Sequence, residues 1–330
     1  MLTFKSLITA FAAVLMGSTA IAQEVKTYNK FPKVTEIEAE QIDIDNNEEI
    51  QGMYLTENNL ILHLVPFSYD HDADYKVYSY PELEKKGEFG KHKDFYFARS
   101  NPASTGKNSI TVADRDKLKH ISFQDSKPTI TYATMDTTLS DVLLMKDSVL
   151  CRESDLNDDY ELRFYQRDGS YKKAGEFPET LSPRFENNYM RYCAYNRIIA
   201  GKPNGQQMAL FYRYIRRYKI FDHNGDLLSD NILLIQPSMD KPALSEEEQL
   251  VHPEAIFTTD KHIYTLNLDN RYDYTPEERT PQNIQVFDWD GNPVEQFILP
   301  YEAPIRTFVV DEERGVIYGA FYDEIYRFKL

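Results

Sequence analysis

Short apolar runs recur along the chain, and each begins just after a polar turn. Runs of this length suit strands whose two faces are both covered, as in the inner strands of stacked sheets. They lie at residues 59–64, 109–112, 148–151, 208–211, 262–266 and 315–318. The segments that follow alternate apolar and polar side chains, as at 218–221 and 283–287, which is typical of strands with one exposed face. Few windows fit a helical period, so the pattern predicts an all-β protein.

Three of the alternating segments end in an aromatic residue that stands four positions before a glycine. The copies are 165–169 (YQRDG), 221–225 (FDHNG) and 287–291 (FDWDG). Glycine takes the positive φ that tight turns require, so each copy predicts the turn of an antiparallel hairpin. Aromatic residues in equivalent places give a register along the chain: Tyr80, Phe123, Tyr165, Phe221, Phe287 and Phe328. Three of the five spacings, 43, 42 and 41 residues, match a four-stranded propeller blade.

The two chain ends look complementary. The last repeat stops after its third strand at 325–330, while the alternating stretch 34–44 belongs to no complete repeat. We therefore predict that an N-terminal strand within 33–46 completes the last blade, because closing the ring hides two sheet edges. The prediction is a six-bladed β-propeller of four-stranded antiparallel blades. The blades are expected near 50–92, 95–134, 140–180, 188–235, 252–300 and 304–330. A pair of β-sandwiches is the alternative, and it would not need complementary ends.

Three stretches carry a resemblance to a known family. They are 195–225, 286–294 (VFDWDGNPV), and 305–311 followed by 316–318. These stretches resemble the TolB-like six-bladed propeller proteins that are common in Bacteroidetes. The resemblance is strongest over the C-terminal half and weakens before residue 140. It implies an exported propeller and carries over no functional residue, because the shared motifs are structural and many family members have no assigned activity.

The N-terminus has the pattern of a secretory signal. Lys5 precedes a short apolar stretch at 7–16, and Ala20-Ile21-Ala22 gives the small-x-small pattern of a cleavage site. The stretch is shorter than the roughly 20 apolar residues of a membrane span. We predict that residues 1–22 are removed between Ala22 and Gln23, which leaves 23–330 as a single periplasmic or extracellular domain. No cysteine follows the cleavage site, so a lipid anchor is not expected.

Composition argues against nucleic acid as a partner and against disulfides as the main source of stability. The formal net charge is −16, and an acidic surface repels the phosphates of nucleic acids. The two cysteines, Cys151 and Cys193, both lie in strand-like apolar runs. They could pair in an oxidising compartment, but buried free thiols are the expected state, so the core must hold the fold. We expect a monomer without a membrane span.

The sequence offers little catalytic chemistry. The histidines are scattered, no glycine-rich phosphate loop or Gly-x-Ser-x-Gly is present, and no cofactor, metal or catalytic residue is predicted. Residues 70–74 and 155–159 concentrate carboxylates, which calcium favours. Both stretches lack the sixth-position glycine and twelfth-position glutamate of an EF-hand loop, so we interpret them as solvated turns.

One basic stretch departs from the acidic background. Arg213, Arg216 and Arg217 lie among tyrosines, which would suit an anion or sugar site. The other interpretation is a tight hairpin whose arginines pair with neighbouring acids. Long inserts at 237–251 and 270–282 fall near one blade and are predicted to shape one rim, with Tyr272 and Tyr274 as candidate contacts.

The sequence therefore predicts a binding or scaffold protein that uses the loops of one propeller face to recognise a protein or a glycan. The alternative is a glycan-directed hydrolase or lyase at the mouth of the central channel. A funnel lined by carboxylates, arginine and tyrosine would favour catalysis, whereas an apolar plug would favour a scaffold.

Overall fold

The computed structural model describes residues 25–44, 46, 48–65, 74–89, 104–106, 108–123, 128–139, 142–166, 168–181, 184–237, 241–245, 248–271 and 280–330. The predicted signal sequence and its cleavage site between Ala22 and Gln23 lie outside these residues. Tyr272, Tyr274 and residues 70–73 of the first acidic stretch also lie outside them.

The described residues form six small sheets arranged as a six-bladed β-propeller, which confirms the predicted fold class. Three short strands come first: β1 (Lys26–Tyr28), β2 (Val34–Glu36) and β3 (Ala39–Ile42). Blade 1 has β4 (Glu49–Leu55), β5 (Asn59–Val65), β6 (Asp74–Ser79) and β7 (Lys85–Phe89). The described part of blade 2 has β8 (Ser104–Gly106), β9 (Ser109–Ser122) and β10 (Thr129–Leu139). Blade 3 has β11 (Val142–Leu144), β12 (Leu150–Glu153), β13 (Leu162–Tyr165) and β14 (Tyr171–Ala174).

The second half of the ring is built in the same way. Blade 4 has β15 (Arg197–Gly201), β16 (Gln207–Tyr212), β17 (Arg217–Asp222) and β18 (Leu227–Leu233). Blade 5 has β19 (Val251–Thr258), β20 (His262–Asn270), β21 (Asn283–Asp288) and β22 (Pro293–Ile298). Blade 6 begins with β23 (Thr307–Asp311), β24 (Val316–Phe321) and β25 (Glu324–Lys329). Each blade buries apolar side chains against its neighbours, so the core follows the ring.

The N-terminal strand β3 completes blade 6, as predicted. It runs antiparallel to β25 and pairs Ala39 with Phe328 and Ile42 with Ile325. On the surface, the Arg327 guanidinium donates to the Glu40 carboxylate across this seam, at 2.6 Å. The last sheet therefore contains strands from both ends of the chain, and the ring is closed.

The rest of the predicted closing stretch behaves differently. Residues 34–36 form β2, which pairs in parallel with β22 as a fifth strand of blade 5. The cause is Ile37, which is buried in the core shared by blades 5 and 6 and whose amide donates to the Ile298 carbonyl. Two sheets thus have five strands instead of four, because β1 likewise pairs in parallel with β18 in blade 4.

We call residues 25–42 the N-terminal strap, because they pass along the outer edges of three successive blades. Between β1 and β2, Phe31 is buried in the core shared by blades 4 and 5. Its ring meets that of Phe287 edge to face, with the centroids 5.5 Å apart. The strap is therefore anchored by apolar burial as well as by strand pairing.

The predicted glycine turns close hairpins in the structure. Gly225 joins β17 to β18 and Gly291 joins β21 to β22, with φ of 80° and 83°. Each turn also lies against the neighbouring blade. A Cβ on Gly225 would stand 2.6 Å from the Phe164 ring, so a side chain is excluded by space as well as by φ.

This contact predicts different costs for two glycine substitutions. Gly169→Ala should cost about 1–2 kcal/mol, because φ is 82° there and no atom lies within 4 Å of the added Cβ. Gly225→Ala should cost about 1–3 kcal/mol more, because the methyl group also overpacks against Phe164. Urea unfolding of both variants measures the difference. Equal losses would show that the ring adapts without strain.

In five of the blades the first strand faces the axis of the ring, since β11, β15, β19, β23 and β4 contact one another in succession. We call the side where these inner strands begin the upper face. The antiparallel order places on this side the connections that link successive blades and those that link the second and third strands. These include 175–196, 213–216, 234–250 and 271–282. Both long inserts thus leave from and return to the upper face.

A short helix corrects one sequence-based expectation. Residues Asn188–Ala194 form α1, whose N-terminal amide at Met190 is capped by the Asn187 side chain. Cys193 lies on this helix and is exposed, so the expectation that it is a buried strand residue is wrong. Cys151 is buried in β12, and both thiols are free. No helix in the described ranges is long and apolar enough to cross a membrane.

Candidate functional site

A cavity of about 630 Å³ lies on the axis of the ring. Five inner strands or the residues just before them supply its wall, through 49–54, 143, 197–199, 254–256 and 306–307. Side chains of Tyr54, His63, Glu153 and Arg213 also line it. The charged lining residues Glu49, Arg197 and Arg306 stand at or next to the first residue of an inner strand, so this charged part of the wall lies toward the upper face. The described wall combines charged and polar residues with apolar ones, isoleucines among them.

Three arginine–glutamate pairs line this cavity. They are Arg197–Glu153 at 3.3 Å, Arg213–Glu254 in direct hydrogen-bond contact, and Arg306–Glu49 at 3.8 Å. Each pair joins two neighbouring blades: blades 3 and 4, blades 4 and 5, and, across the closure of the ring, blades 6 and 1. The described lining therefore carries equal numbers of arginine and glutamate side chains. Such a wall can contact both positive and negative groups of a ligand.

Arg197 forms the rigid part of this wall. Its guanidinium lies 4.6 Å from the centre of the Tyr192 ring and 5.3 Å from that of Phe177. It also donates to the carbonyl oxygens of Tyr195 and Glu161, at 3.3 and 3.1 Å. Its side chain has no solvent exposure, so Arg197 supports Glu153 from behind.

Arg306 and Glu49 form the loosest of the three pairs. Their closest atoms, Nη1 and Oε1, are 3.8 Å apart, which is too long for a hydrogen bond. The Arg306 side chain is 54% exposed and that of Glu49 is 25% exposed. An ion pair of this kind contributes roughly 0–1 kcal/mol, so another partner can replace either member at little cost.

Behind the wall, a buried charge network joins blades 3 and 4. The Lys219 ammonium donates to Glu161 Oε2 at 2.6 Å and to the Glu176 carbonyl at 2.5 Å. The Tyr212 hydroxyl donates to the other Glu161 oxygen. Burial raises the pKa of Tyr212, and the negative charge of Glu161 raises it further. The network holds the carbonyl of Glu161 where Arg197 reaches it, so it supports the cavity wall.

The three arginines of the basic stretch separate to three places. Arg213 lines the cavity and contacts Glu254, while Arg217 makes a two-bond contact with Asp230, at 2.8 and 2.6 Å. Arg216 turns into the interior. The stretch is a hairpin connection between β16 and β17 with each guanidinium paired to a carboxylate. The arrangement does not bring the arginines together as one patch.

Arg216 is part of a second buried cluster, around Asp269. Asp269 Oδ1 lies 2.7 Å from the Arg216 guanidinium and 2.9 Å from His252 Nδ1, and Oδ2 accepts from Asn283 at 2.8 Å. The Nε of Arg216 donates to the carbonyl of Pro237. These residues stand at the ends of the connections 234–250 and 271–282, so one cluster fixes both long inserts to the ring.

Electrostatics in this cluster keep the aspartate charged and the histidine neutral. Burial alone would raise the pKa of Asp269, but the hydrogen bond from His252 and the charge of Arg216 bring it below its ordinary value. Burial lowers the pKa of His252 more than its bond to Asp269 raises it, and Arg216 lowers it further. The cluster therefore contains one positive and one negative charge at neutral pH.

The acidic turn 155–159 is engaged by arginines. Asp155 pairs with Arg152 and Arg163, at 2.7 and 2.6 Å, and Asp158 pairs with Arg163 at 2.6 Å. Across the described residues, no three His, Cys, Asp or Glu side chains converge as metal ligands.

The sequence analysis found Arg213 but missed the other charged residues of the cavity. A signal exists, because Glu49, Arg197 and Arg306 each stand at or next to the first residue of an inner strand. A charge at that place in several repeats marks a position on the ring axis. Recognising it requires the strand boundaries, which the repeat pattern locates only approximately.

Two solved structures from Bacteroides species are similar to this chain in fold. A member of the DUF4221 family from Bacteroides vulgatus is 13% identical, with a TM-score of 0.50, and the match covers 88% of this chain and 98% of that one. A candidate exported protein from Bacteroides fragilis is 10% identical, with a TM-score of 0.50, and the match covers 92% and 99% of the two chains. Both likenesses concern the fold.

None of the curated proteins compared with this chain matches it. The TolB-like 6-blade propeller-like family, in contrast, matches residues 52–313, which is most of the chain. The match begins within blade 1 and ends in the turn after β23. This chain therefore belongs to the TolB-like six-bladed propeller family.

Proposed function

We propose that this protein is an exported, monomeric binding protein that takes a small polar ligand into the central cavity from the upper face. The observation that carries the proposal is the charged lining, in which three arginines and three glutamates from five blades converge on one cavity. A purely structural core would fill this space with apolar side chains. The long inserts start and end on the same face, which supports ligand entry there.

Binding is a better fit than hydrolysis for the same residues. A glycosidase needs one carboxylate that gives and takes a proton and a second at a fixed distance from it. Each of the three glutamates here is paired with an arginine, so none of them is set apart from a cation in the cavity. The cavity does have the lining of carboxylates, arginine and tyrosine that would favour a glycan-directed hydrolase or lyase. Each of its glutamates is held in an ion pair with an arginine, so catalysis is the second candidate and binding the first.

Filling the cavity tests the proposal. Thr307 lies on the cavity wall and is partly exposed, so Thr307→Trp should obstruct the cavity without disturbing the core. The matched control is Thr27→Trp on the exposed strand β1. The probes are L-leucine, leucyl-leucine, glucose, galacturonate and succinate, each assayed by calorimetric titration and by thermal unfolding.

We expect at least one probe to bind the wild-type protein and the Thr27 variant but not the Thr307 variant. A probe at one hundred times its Kd should add about 2.7 kcal/mol to the free energy of unfolding, which raises Tm by several degrees. The proposal fails if no probe binds, or if the Thr307 variant binds as the wild type does.

A further inference from the structure

The Arg306–Glu49 pair differs from the other two charged pairs of the cavity in how little engages it. No described residue accepts a hydrogen bond from the Arg306 guanidinium, and none donates to the Glu49 carboxylate. The Arg213 guanidinium, in contrast, donates directly to Glu254. As far as the described residues go, Arg306 and Glu49 therefore keep their hydrogen-bonding capacity for a molecule that enters the cavity.

The Arg306 guanidinium and the Glu49 carboxylate have opposite charges, and their closest atoms lie 3.8 Å apart. A guanidinium prefers a carboxylate, which it can hold with two parallel hydrogen bonds, and a carboxylate prefers an ammonium group. A ligand carrying only one of these charges would satisfy one group and repel the other. A ligand with both charges a few ångströms apart satisfies Arg306 and Glu49 together.

The surroundings favour a ligand with no net charge and an apolar part. The protein carries a formal net charge of −16, so its field repels free anions, while a zwitterion feels little of it. The cavity lining also includes the apolar residues Ile50 and Met53 of the Glu49 strand and Ile256 of blade 5. An aliphatic side chain attached to the charged groups would lie against this wall.

We propose that the cavity binds a free α-amino acid with an apolar side chain, its carboxylate on Arg306 and its ammonium group on Glu49. This inference rests on the proposed function, since it names the ligand class of the same cavity. In the complex, the ligand stands between the two side chains and each charge gains a hydrogen-bonded partner. The Arg213–Glu254 and Arg197–Glu153 pairs remain in place and shape the rest of the pocket.

The test uses three probes that share one aliphatic body. L-Leucine has both charges, N-acetyl-L-leucine has only the carboxylate, and L-leucinamide has only the ammonium group. Calorimetric titration measures each probe against the wild type, Arg306→Gln and Glu49→Gln. The control is Arg327→Gln, which removes an arginine from an exposed pair with Glu40 on the outer edge of blade 6.

We expect leucine to bind the wild type and the Arg327 variant at least tenfold more tightly than either analogue, which corresponds to about 1.4 kcal/mol. Arg306→Gln should weaken leucine at least tenfold and abolish the preference for leucine over leucinamide. Glu49→Gln should abolish the preference for leucine over N-acetyl-leucine. Thermal unfolding of the variants confirms that they fold.

Two results would overturn the inference. One is that an analogue binds as tightly as leucine, and the other is that neither Arg306→Gln nor Glu49→Gln weakens leucine binding. If glucose, galacturonate or succinate binds and is lost in Thr307→Trp while leucine does not bind, the amino-acid assignment fails and the binding function stands. If no probe binds, both fail.

Discussion

Lys219→Met should lower the free energy of unfolding by about 3–5 kcal/mol, because it leaves the Glu161 carboxylate charged and buried without its cation. The two side chains are only 3% and 0% exposed, and the ammonium group lies 2.6 Å from the carboxylate. Methionine retains most of the volume of the lysine side chain, so the loss would come from charge and hydrogen bonding. Urea unfolding with the slope held common to both proteins measures it.

Two further variants test whether the loss of stability comes from the burial of the charge pair or from the removal of any lysine charge. The matched control is Lys172→Met, which breaks an equally short pair with Asp226 between the same two blades, where both side chains are exposed. It should cost less than about 1 kcal/mol. The double variant Lys219→Met with Glu161→Leu should recover most of the loss, since no unpaired charge remains. Equal losses for Lys219→Met and Lys172→Met would contradict the assigned role of burial.

Asp269→Asn should cost a similar amount, about 3–5 kcal/mol, for the converse reason. The substitution leaves the Arg216 guanidinium, which is 3% exposed, without the carboxylate that balances it. Asparagine suits this position because φ is 56° there, a left-handed conformation that Asn adopts more readily than most residues. The backbone should therefore stay in place, and chemical denaturation reports the loss of charge pairing.

The position of Asp269 predicts which part of the structure becomes accessible to a protease first when the charge pairing is lost. Its partners include Arg216, His252 and Asn283, at the ends of the two long upper-face connections. Limited proteolysis of Asp269→Asn should cut within 234–250 or 271–282 faster than in the wild type. Glu40→Gln, in an exposed pair, serves as the control and should leave both the denaturation midpoint and the cutting rate unchanged. Faster cutting elsewhere and not there would contradict the anchoring role.

The fold could be predicted from the sequence because its determinants are local and repeated. A hairpin turn such as 287–291 needs its glycine, and an inner strand needs its apolar run, wherever the blade stands in the ring. Closure by residues 39–42 followed from edge strands that had no partner. Cys193 was misplaced because a seven-residue helix is too short to show a period.

The candidate site was less predictable because its pairs are formed by distant parts of the chain. Arg306 and Glu49 meet only after the ring has closed, and strand register decides which side chains face the axis. The basic stretch shows the opposite case, in which residues that are close in sequence do not form a common site. Arg213, Arg216 and Arg217 are near neighbours in sequence, yet the hairpin sends them to three different acids. Proximity in sequence did not predict a common site.

The N-terminal strap has a consequence for the order of events during synthesis. Residues 26–42 are synthesised before the blades they join, and their partners are 231–233, 296–298 and 325–328. A nascent chain can assemble its middle blades while this early segment still has nowhere to dock. Closing so long a loop is entropically costly, and the final sheet must wait for the last strand. Blade 6 therefore stays incomplete, and the ring open, until residues 325–328 have been synthesised.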